Sequence, residues 1–296
     1  MNITRVNPDW HWKRATQATV KDGVIELGSN LPEWRPSYES PALHRTLANT
    51  YDEILSSNGH TDAYTQAFLR RFGWIGANEL FTDAAATVWW LTRVLDVIAA
   101  DGINPEDVTL SEADDLMVTV PNPLRIVPKR QQEITQVGDD GAQMTYGTPR
   151  NLFIGMVWRI NGLTVEDDTW TTSYSGLIAW AHDLINEHLV KYTTVQYESL
   201  WNFKRDRHGV RKATEGFDAT HRFQRAVQPV NLLGYIWLCI ADQFEAGNKL
   251  EYYKCAEYEN GYDCRQELVK KVGTTSRREY CGEGCRAKAK RRRDAK

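Results

Sequence analysis

Apolar residues recur at intervals of three and four along several stretches of this 296-residue chain, the period of a helix with one buried face. The clearest case in the front half places Val88, Leu91, Val94, Leu95 and Ile98 on one face, with Thr82 or Asp83 as the cap and Gly102 as the stop. Before it, Pro41 at the head of Ala42 to Leu55 suits a first helical turn, and Thr61-Asp62 caps a second helix through Arg71. Farther along, Thr171 to Tyr192 carries Leu177, Trp180, Ala181, Leu184, Ile185, His188 and Tyr192 on one face. Val230 to Phe244 does the same with Val230, Leu233, Trp237, Ile240, Ala241 and Phe244. Both are expected to pack into one core.

Strand patterns are fewer. Ala15 to Val20 and Val24 to Leu27 are rich in Thr, Val and Ile and flank Lys21-Asp22-Gly23, which predicts a hairpin. A short capped helix is expected over 107–115, an extended stretch over 122–128, and a loop tip over 137–141. The apolar run 151–160 fits a buried strand or a helix, and periodicity does not separate them; helix is the assignment adopted. Residues 202–212 are basic and interrupted by Gly209, the pattern of a surface loop, with a second phosphate-contacting patch as its functional reading. The fold class expected is mainly α: a helical body over 1–250 with a short N-terminal β-hairpin, and a small C-terminal zinc-finger module over 251–296.

Composition narrows the class. With 42% hydrophobic and 25% charged residues the chain can bury a substantial core, and neither a disordered nor a fibrous protein is indicated. The longest apolar stretch, Leu232 to Ala241, is too short to span a bilayer and is followed by Asp242. The N-terminal residues lack the apolar core of a signal peptide. A cytoplasmic protein with no membrane partner is therefore expected. Eleven tryptophans argue for a well-packed body, and a protein partner could dock on any that remain exposed.

The recognisable chemistry lies at the end of the chain, where four of five cysteines stand as Cys255-x8-Cys264-x16-Cys281-x3-Cys285. Four thiolates complete a tetrahedral shell for Zn2+, and a closed shell leaves no position for a reacting water, so such a zinc is structural. The first pair is wider than the usual two to four residues, although Asn260-Gly261 and Asp263 lend the insert a turn character. The second pair stands where a basic helix can begin. Two disulfides and four unrelated thiols are the alternatives at this point.

The helix Asn231 to Ala241, the four cysteines, and Tyr280-Cys281 and Cys285-Arg286 leading into Lys290 to Arg293 resemble the C-terminal end of uncharacterised bacterial proteins that finish in a treble-clef-like zinc finger. The segment is also similar to the CGNR-type zinc finger of bacterial transcription regulators, with Arg286-Ala287-Lys288 in place of that group's Gly-Asn-Arg. Near the front, Trp34-Arg35-Pro36, Ser40 to Leu43 and Arg71 to Gly76 resemble the opening segments of the same proteins. The resemblance implies a zinc-binding tail on a mostly helical body, contact with nucleic acid, and no assigned enzymatic activity.

Charge is divided along the chain. Residues 251–296 hold 6 Lys and 7 Arg against 8 acids, a net of +5, which leaves −8 on residues 1–250. A basic segment on an acidic body points to polyanion contact through that segment. Arg277, Arg278, Arg286, Lys288, Lys290, Arg291, Arg292 and Arg293 are the expected phosphate contacts, with Arg286, Lys290 and Arg293 in one row on a helix starting near Gly284. The alternative function is a protein or small-ligand binder stapled by its metal. Catalytic patterns are sparse: His182 and His188 are six apart rather than four, and neither a phosphate-binding glycine loop nor a nucleophile elbow occurs. Asp139-Asp140 and Asp167-Asp168 read as turn formers. Cys239 reads as a small hydrophobe, and no enzyme is expected.

Overall fold

The computed structural model describes residues 10–29, 31–34, 36, 40–57, 61–76, 81–100, 116–121, 134–137, 143–146, 164–165, 169–199, 203–205, 211–213, 223–258, 264, 266–273 and 279–295. Six α-helices occur among them: α1 Leu43–Ser56, α2 Thr61–Phe72, α3 Phe81–Ala100, α4 Tyr174–Tyr192, α5 Leu232–Ala246 and α6 Glu283–Asp294. The first five carry most of one large core, in which Leu43, Leu47, Tyr51, Leu69, Trp90, Leu91, Leu177, Leu232 and Ile236 are fully buried. Helix α5 is buried on nearly every side, which matches its almost unbroken apolar run from Leu232 to Ile240. Among the described residues no helix is long and apolar enough to cross a membrane.

Capping explains where two of these helices begin. Asn231 caps α5 by accepting from the Gly234 amide at 2.8 Å, and Ser173 caps α4 by accepting from the Gly176 amide at 3.2 Å. The pattern of apolar positions predicts α4 from Thr171, but Thr169–Ser173 forms strand β9 and the helix starts only at Tyr174. Three consecutive β-branched or cap-forming residues, Thr171, Thr172 and Ser173, favour the extended form there. Helix α3 likewise starts at Phe81, so Thr82 and Asp83 lie inside its first turn instead of capping it.

The predicted hairpin is present but shorter. Strands β2 (Thr19–Lys21) and β3 (Val24–Glu26) pair across Asp22 and Gly23, both with positive φ (51° and 80°), the conformation of a two-residue turn matched to strand twist. Short antiparallel strands are far more numerous than expected. Strands β1 (Trp12–Lys13) and β4 (Glu33–Trp34) pair with each other, and β5 (Met117–Pro121), β9 and β8 (Thr164–Val165) form a sheet in the order β5-β9-β8. Strands β6 (Ile134–Val137) and β7 (Gln143–Tyr146) pair antiparallel, so Val137 of the expected 137–141 loop tip lies in a strand, and 138–141 fall outside the described residues. A seven-residue ladder joins β10 (Thr193–Ser199) to β13 (Phe223–Pro229). Within the basic 202–212 segment, expected as a surface loop, the described residues are strands instead: β11 (Phe203–Arg205) pairs with β12 (Arg211–Ala213). The expectations for 107–115, 122–128 and 151–160, and the Gly102 stop, lie outside the described residues.

Two close approaches fix how the body closes. The Tyr192 carbonyl at the end of α4 accepts from Val230, and it lies so near Gly234 that a Cβ there would overlap it. Gly73 (φ 98°) ends α2 against the Lys13 backbone in the same way. Helix α5 ends at Gly247 (φ 49°), and a 3₁₀ turn over Gly247–Lys249 leads into β14 (Leu250–Lys254), which pairs with β15 (Glu267–Lys271). Cys255 directly follows β14, and Cys264 precedes β15.

Candidate metal centre

Cys255, Cys264, Cys281 and Cys285 are all buried, and their sulfurs lie within 4.8 Å of one another. They form a small core of their own with Leu268, lined by Tyr253, Tyr258 and Tyr280. The Cys264–Cys281 and Cys281–Cys285 sulfur separations are 3.6 and 3.4 Å. A disulfide requires about 2.05 Å, whereas four sulfurs at ~2.3 Å from a shared ion stand about 3.8 Å apart. The separate thiols are therefore spaced as a cage able to hold a metal ion, and neither the disulfide alternative nor four unrelated thiols describes this arrangement.

The hairpin accounts for the wide first pair. The β14–β15 ladder ends at Lys254 opposite Glu267, and one step beyond it the Cys255 amide donates to the Gln266 carbonyl at 3.1 Å. Cys255 and Cys264 thus leave and re-enter the same ladder end, so strand pairing rather than a tight knuckle turn closes the eight-residue gap. The chain returns at Glu279, whose carbonyl accepts from the Ala256 amide at 2.9 Å, and the Cys281 amide then points at Cys255 Sγ at 3.4 Å. Helix α6 begins two residues after Cys281 and holds Cys285 in its first turn. Both sulfurs of this pair lie at a helix N-terminus, where backbone dipoles favour negative charge.

Electrostatics separate Cys255 from Cys281 and Cys285 before any cation enters. Thiol hydrogen bonds from Cys264 and Cys281, together with backbone donors at Cys281 and Glu257, hold Cys255 far below the usual thiol range. Cys281 is displaced upward, since its proton is shared with Cys255 and Cys264, and burial pushes Cys285 up to about 11. The Cys255 thiolate forms readily, whereas Cys281 and Cys285 need a positive charge in the cage to lose their protons. Arg71, in the last turn of α2, lies beside them, with Nη2 donating to Cys281 Sγ at 3.5 Å. Burial opposes its charge, but the attraction of Cys264, Cys281 and Cys285 outweighs that and raises its pKa above the ordinary value. Nothing in the sequence singles out Arg71, because an arginine in a last helical turn is the ordinary complement of the helix dipole.

The predicted phosphate contacts divide. Arg286, Lys290 and Arg293 are exposed along one face of α6, and Arg291 is exposed beside them. Arg292 turns inward to pair with buried Glu257, which fastens α6 to the turn after Cys255. Lys288 is half-buried, and Arg277 and Arg278 lie outside the described residues.

Polar groups of the body gather where this module meets it. Arg45 on α1 bonds Asp96 on α3 and Glu267 on β15, and its guanidinium lies over the Tyr252 ring at 4.4 Å. Asn49 donates to Glu267 at 3.0 Å and Gln266 donates to Ser40 at 3.2 Å. His44 is fully buried against Gln243 at 2.7 Å, and burial, then Arg45, lower its pKa to about 3. His188 stacks on Trp237 at 3.9 Å, while His182 is exposed beside Asp183, so the two histidines of α4 serve different surroundings. Burial pushes the Cys239 thiol up to about 12. Every tryptophan whose side chain is described is buried or half-buried.

No family model, curated protein or solved structure matches this chain.

Proposed function

We propose that Cys255, Cys264, Cys281 and Cys285 bind one structural Zn2+, and that the exposed face of α6 bearing Arg286, Lys290 and Arg293 binds nucleic-acid phosphates, making the protein a nucleic-acid-associated regulator. The observation that carries this reading is the convergence of four buried sulfurs within 4.8 Å from three separate stretches of chain. An all-thiolate set selects soft or borderline metals, zinc among them, and a closed tetrahedral shell gives zinc a structural role. Such thiolates persist in a reducing compartment, which favours the cytoplasm.

The nucleic-acid part draws on the divided charge, +5 on 251–296 against −8 on the rest, and on the resemblance to zinc-finger regulators. Cys285 sits inside α6 and Glu257 holds Arg292, so the same centre that folds the module also orients the basic row. Phosphate contact of this kind positions without reading sequence.

Metal content measured by mass spectrometry on protein purified without added metal tests the first part. About one zinc per chain is the outcome required of a four-thiolate centre, and no metal refutes it. Titration of a labelled DNA duplex at several salt concentrations tests the second. Three released contacts give a log–log salt slope near −3, by about 0.9 per phosphate, and substitution of Arg286, Lys290 and Arg293 by Gln removes it. A second reading, in which the module only staples a partner-binding body, is favoured by the Arg45–Glu267 and Gln266–Ser40 contacts. It requires no salt-dependent DNA binding at all.

A further inference from the structure

A divalent cation held by four thiolates leaves a net charge of about −2 in a buried site, and buried charge needs a nearby partner. Six described cations of the module are directed elsewhere: Arg286, Lys290, Arg291 and Arg293 face solvent, Arg292 pairs with Glu257, and Lys254 lies over the Tyr258 ring at 4.6 Å. A side chain of the helical body does reach a sulfur: Arg71 Nη2 is 3.5 Å from Cys281 Sγ.

Its placement is firm. Phe68, Leu69 and Phe72 anchor the last turns of α2 in the core, and the Gly73 amide closes the helix on the Leu69 carbonyl at 2.8 Å. The guanidinium also lies 5.3 Å from the Phe72 ring centroid. Neighbouring Arg70 turns the other way and donates to the Ala18 carbonyl at 2.8 Å. On its other side the module is held by Glu267 and Gln266, so it meets the body both at the sulfur cage and along β15.

We propose that Arg71 is a positioning residue of the metal centre: a cation lent by the helical body that balances the thiolates, so that metal affinity depends on the body and metal occupancy holds the module against it. The inference rests on the four-thiolate reading above. Arginine suits the task because its charge does not titrate and its several N–H donors can serve more than one sulfur. It touches no metal itself and acts through Cys281.

The test uses the full chain as wild type, Arg71→Gln, Arg71→Lys and, as a neighbour that leaves the cage alone, Arg70→Gln. Each is stripped of metal and titrated with Zn2+ against a chromophoric chelator. Loss of an outer-shell partner weakens metal affinity by about 10- to 100-fold, which is the result expected for Arg71→Gln, with partial recovery in Arg71→Lys and no change in Arg70→Gln. Co2+ spectra of all four should keep the same thiolate bands, showing that no ligand is lost. All eleven tryptophans lie within residues 1–250, so their fluorescence follows thermal unfolding of the body alone. Zinc should raise that midpoint in the wild type and raise it less in Arg71→Gln. Equal zinc affinity in wild type and Arg71→Gln, with a body midpoint indifferent to zinc, overturns the inference and leaves the metal centre standing. A wild type that takes up no metal overturns both.

Discussion

Arg45 Nε donates to Glu267 Oε2 at 2.5 Å although 222 residues separate them, and both side chains are nearly buried, at 12% and 11% exposure. The pair joins α1 to the strand that follows Cys264. Arg45 also holds Asp96, and Arg93 bridges Asp96 to Asp52, so the contact belongs to a chain of alternating charges along α1 and α3.

Removing one member of a buried pair strands the other, at a cost of about 3–5 kcal/mol. Arg45→Met should therefore lower stability by roughly 3 kcal/mol, since it takes the shared cation from Glu267 and Asp96 and leaves them only Asn49 and Arg93. Glu267→Gln keeps an acceptor for Asn49 and should cost less, on the order of 1.5 kcal/mol. Urea unfolding of both single variants and the double variant, followed by tryptophan fluorescence, checks this. The double variant should be less damaged than the two effects combined; strict additivity would mean that the contact carries no coupling.

Burial, and secondarily Glu245, raises the Asp242 carboxyl to about 7. Below pH 4 it is protonated in both folded and unfolded chains. Between about pH 4 and 7 the unfolded chain gives up this proton while the folded chain keeps it, so stability falls as pH rises through that window. Asp242→Asn removes the effect. Its urea midpoint should equal that of the wild type near pH 4 and exceed it at pH 8. His44 acts in the opposite sense, because its neutral folded form loses stability as pH falls from about 6.5 towards 3; it is common to both proteins and cancels in the difference.

Gly234→Ala sets two effects against each other. Alanine favours a helix interior over glycine by about 1 kcal/mol, but the added Cβ meets the Tyr192 carbonyl, a backbone atom that cannot swing aside. Overpacking of this kind costs about 1–3 kcal/mol or more, and repulsion should win. A melting temperature several degrees below wild type is the expected outcome in calorimetry. An unchanged or higher value would show that α4 and α5 can separate without penalty.

The five cysteines should divide four to one. With zinc bound, none reacts quickly with an aromatic disulfide reagent; chelation should expose four, while Cys239, protonated and buried in α5, reacts only after denaturation. Cys281→Ser should abolish zinc uptake, and Cys239→Ser should leave it intact. A native fifth thiol reacting as fast as the others would contradict the burial of α5.

The parts of this fold legible in the sequence are those with a period or a punctuation mark. Pro41 announced α1, Asp22-Gly23 announced the hairpin, and the spacing of Leu177, Leu184 and Tyr192 announced α4. Strand β10 reads Thr-Thr-Val-Gln-Tyr-Glu-Ser, with too few apolar positions to show alternation, and its partner β13 begins 24 residues after β10 ends. The cysteines announced the cage, but β14 and β15, which bring Cys255 and Cys264 together, read Leu-Glu-Tyr-Tyr-Lys and Glu-Leu-Val-Lys-Lys, with neither a clear alternation nor a two-residue hairpin turn joining them. Arg71 could not be found at all without the fold, since its role comes from a sulfur 210 residues away.

That distance along the chain has a consequence for biosynthesis. At about 5–20 residues per second, a ribosome that has just delivered Arg45 needs roughly 10 to 45 s to deliver Glu267. Throughout that interval Arg45 has Asp96 but lacks the second of its two carboxylate partners, and Arg71 waits in the same way for Cys281. The helical half cannot settle into its final state before the last cysteines emerge, and a chain cut short before Glu267 leaves Arg45 with Asp96 but without its second carboxylate, the kind of defect that keeps a polypeptide open to proteases.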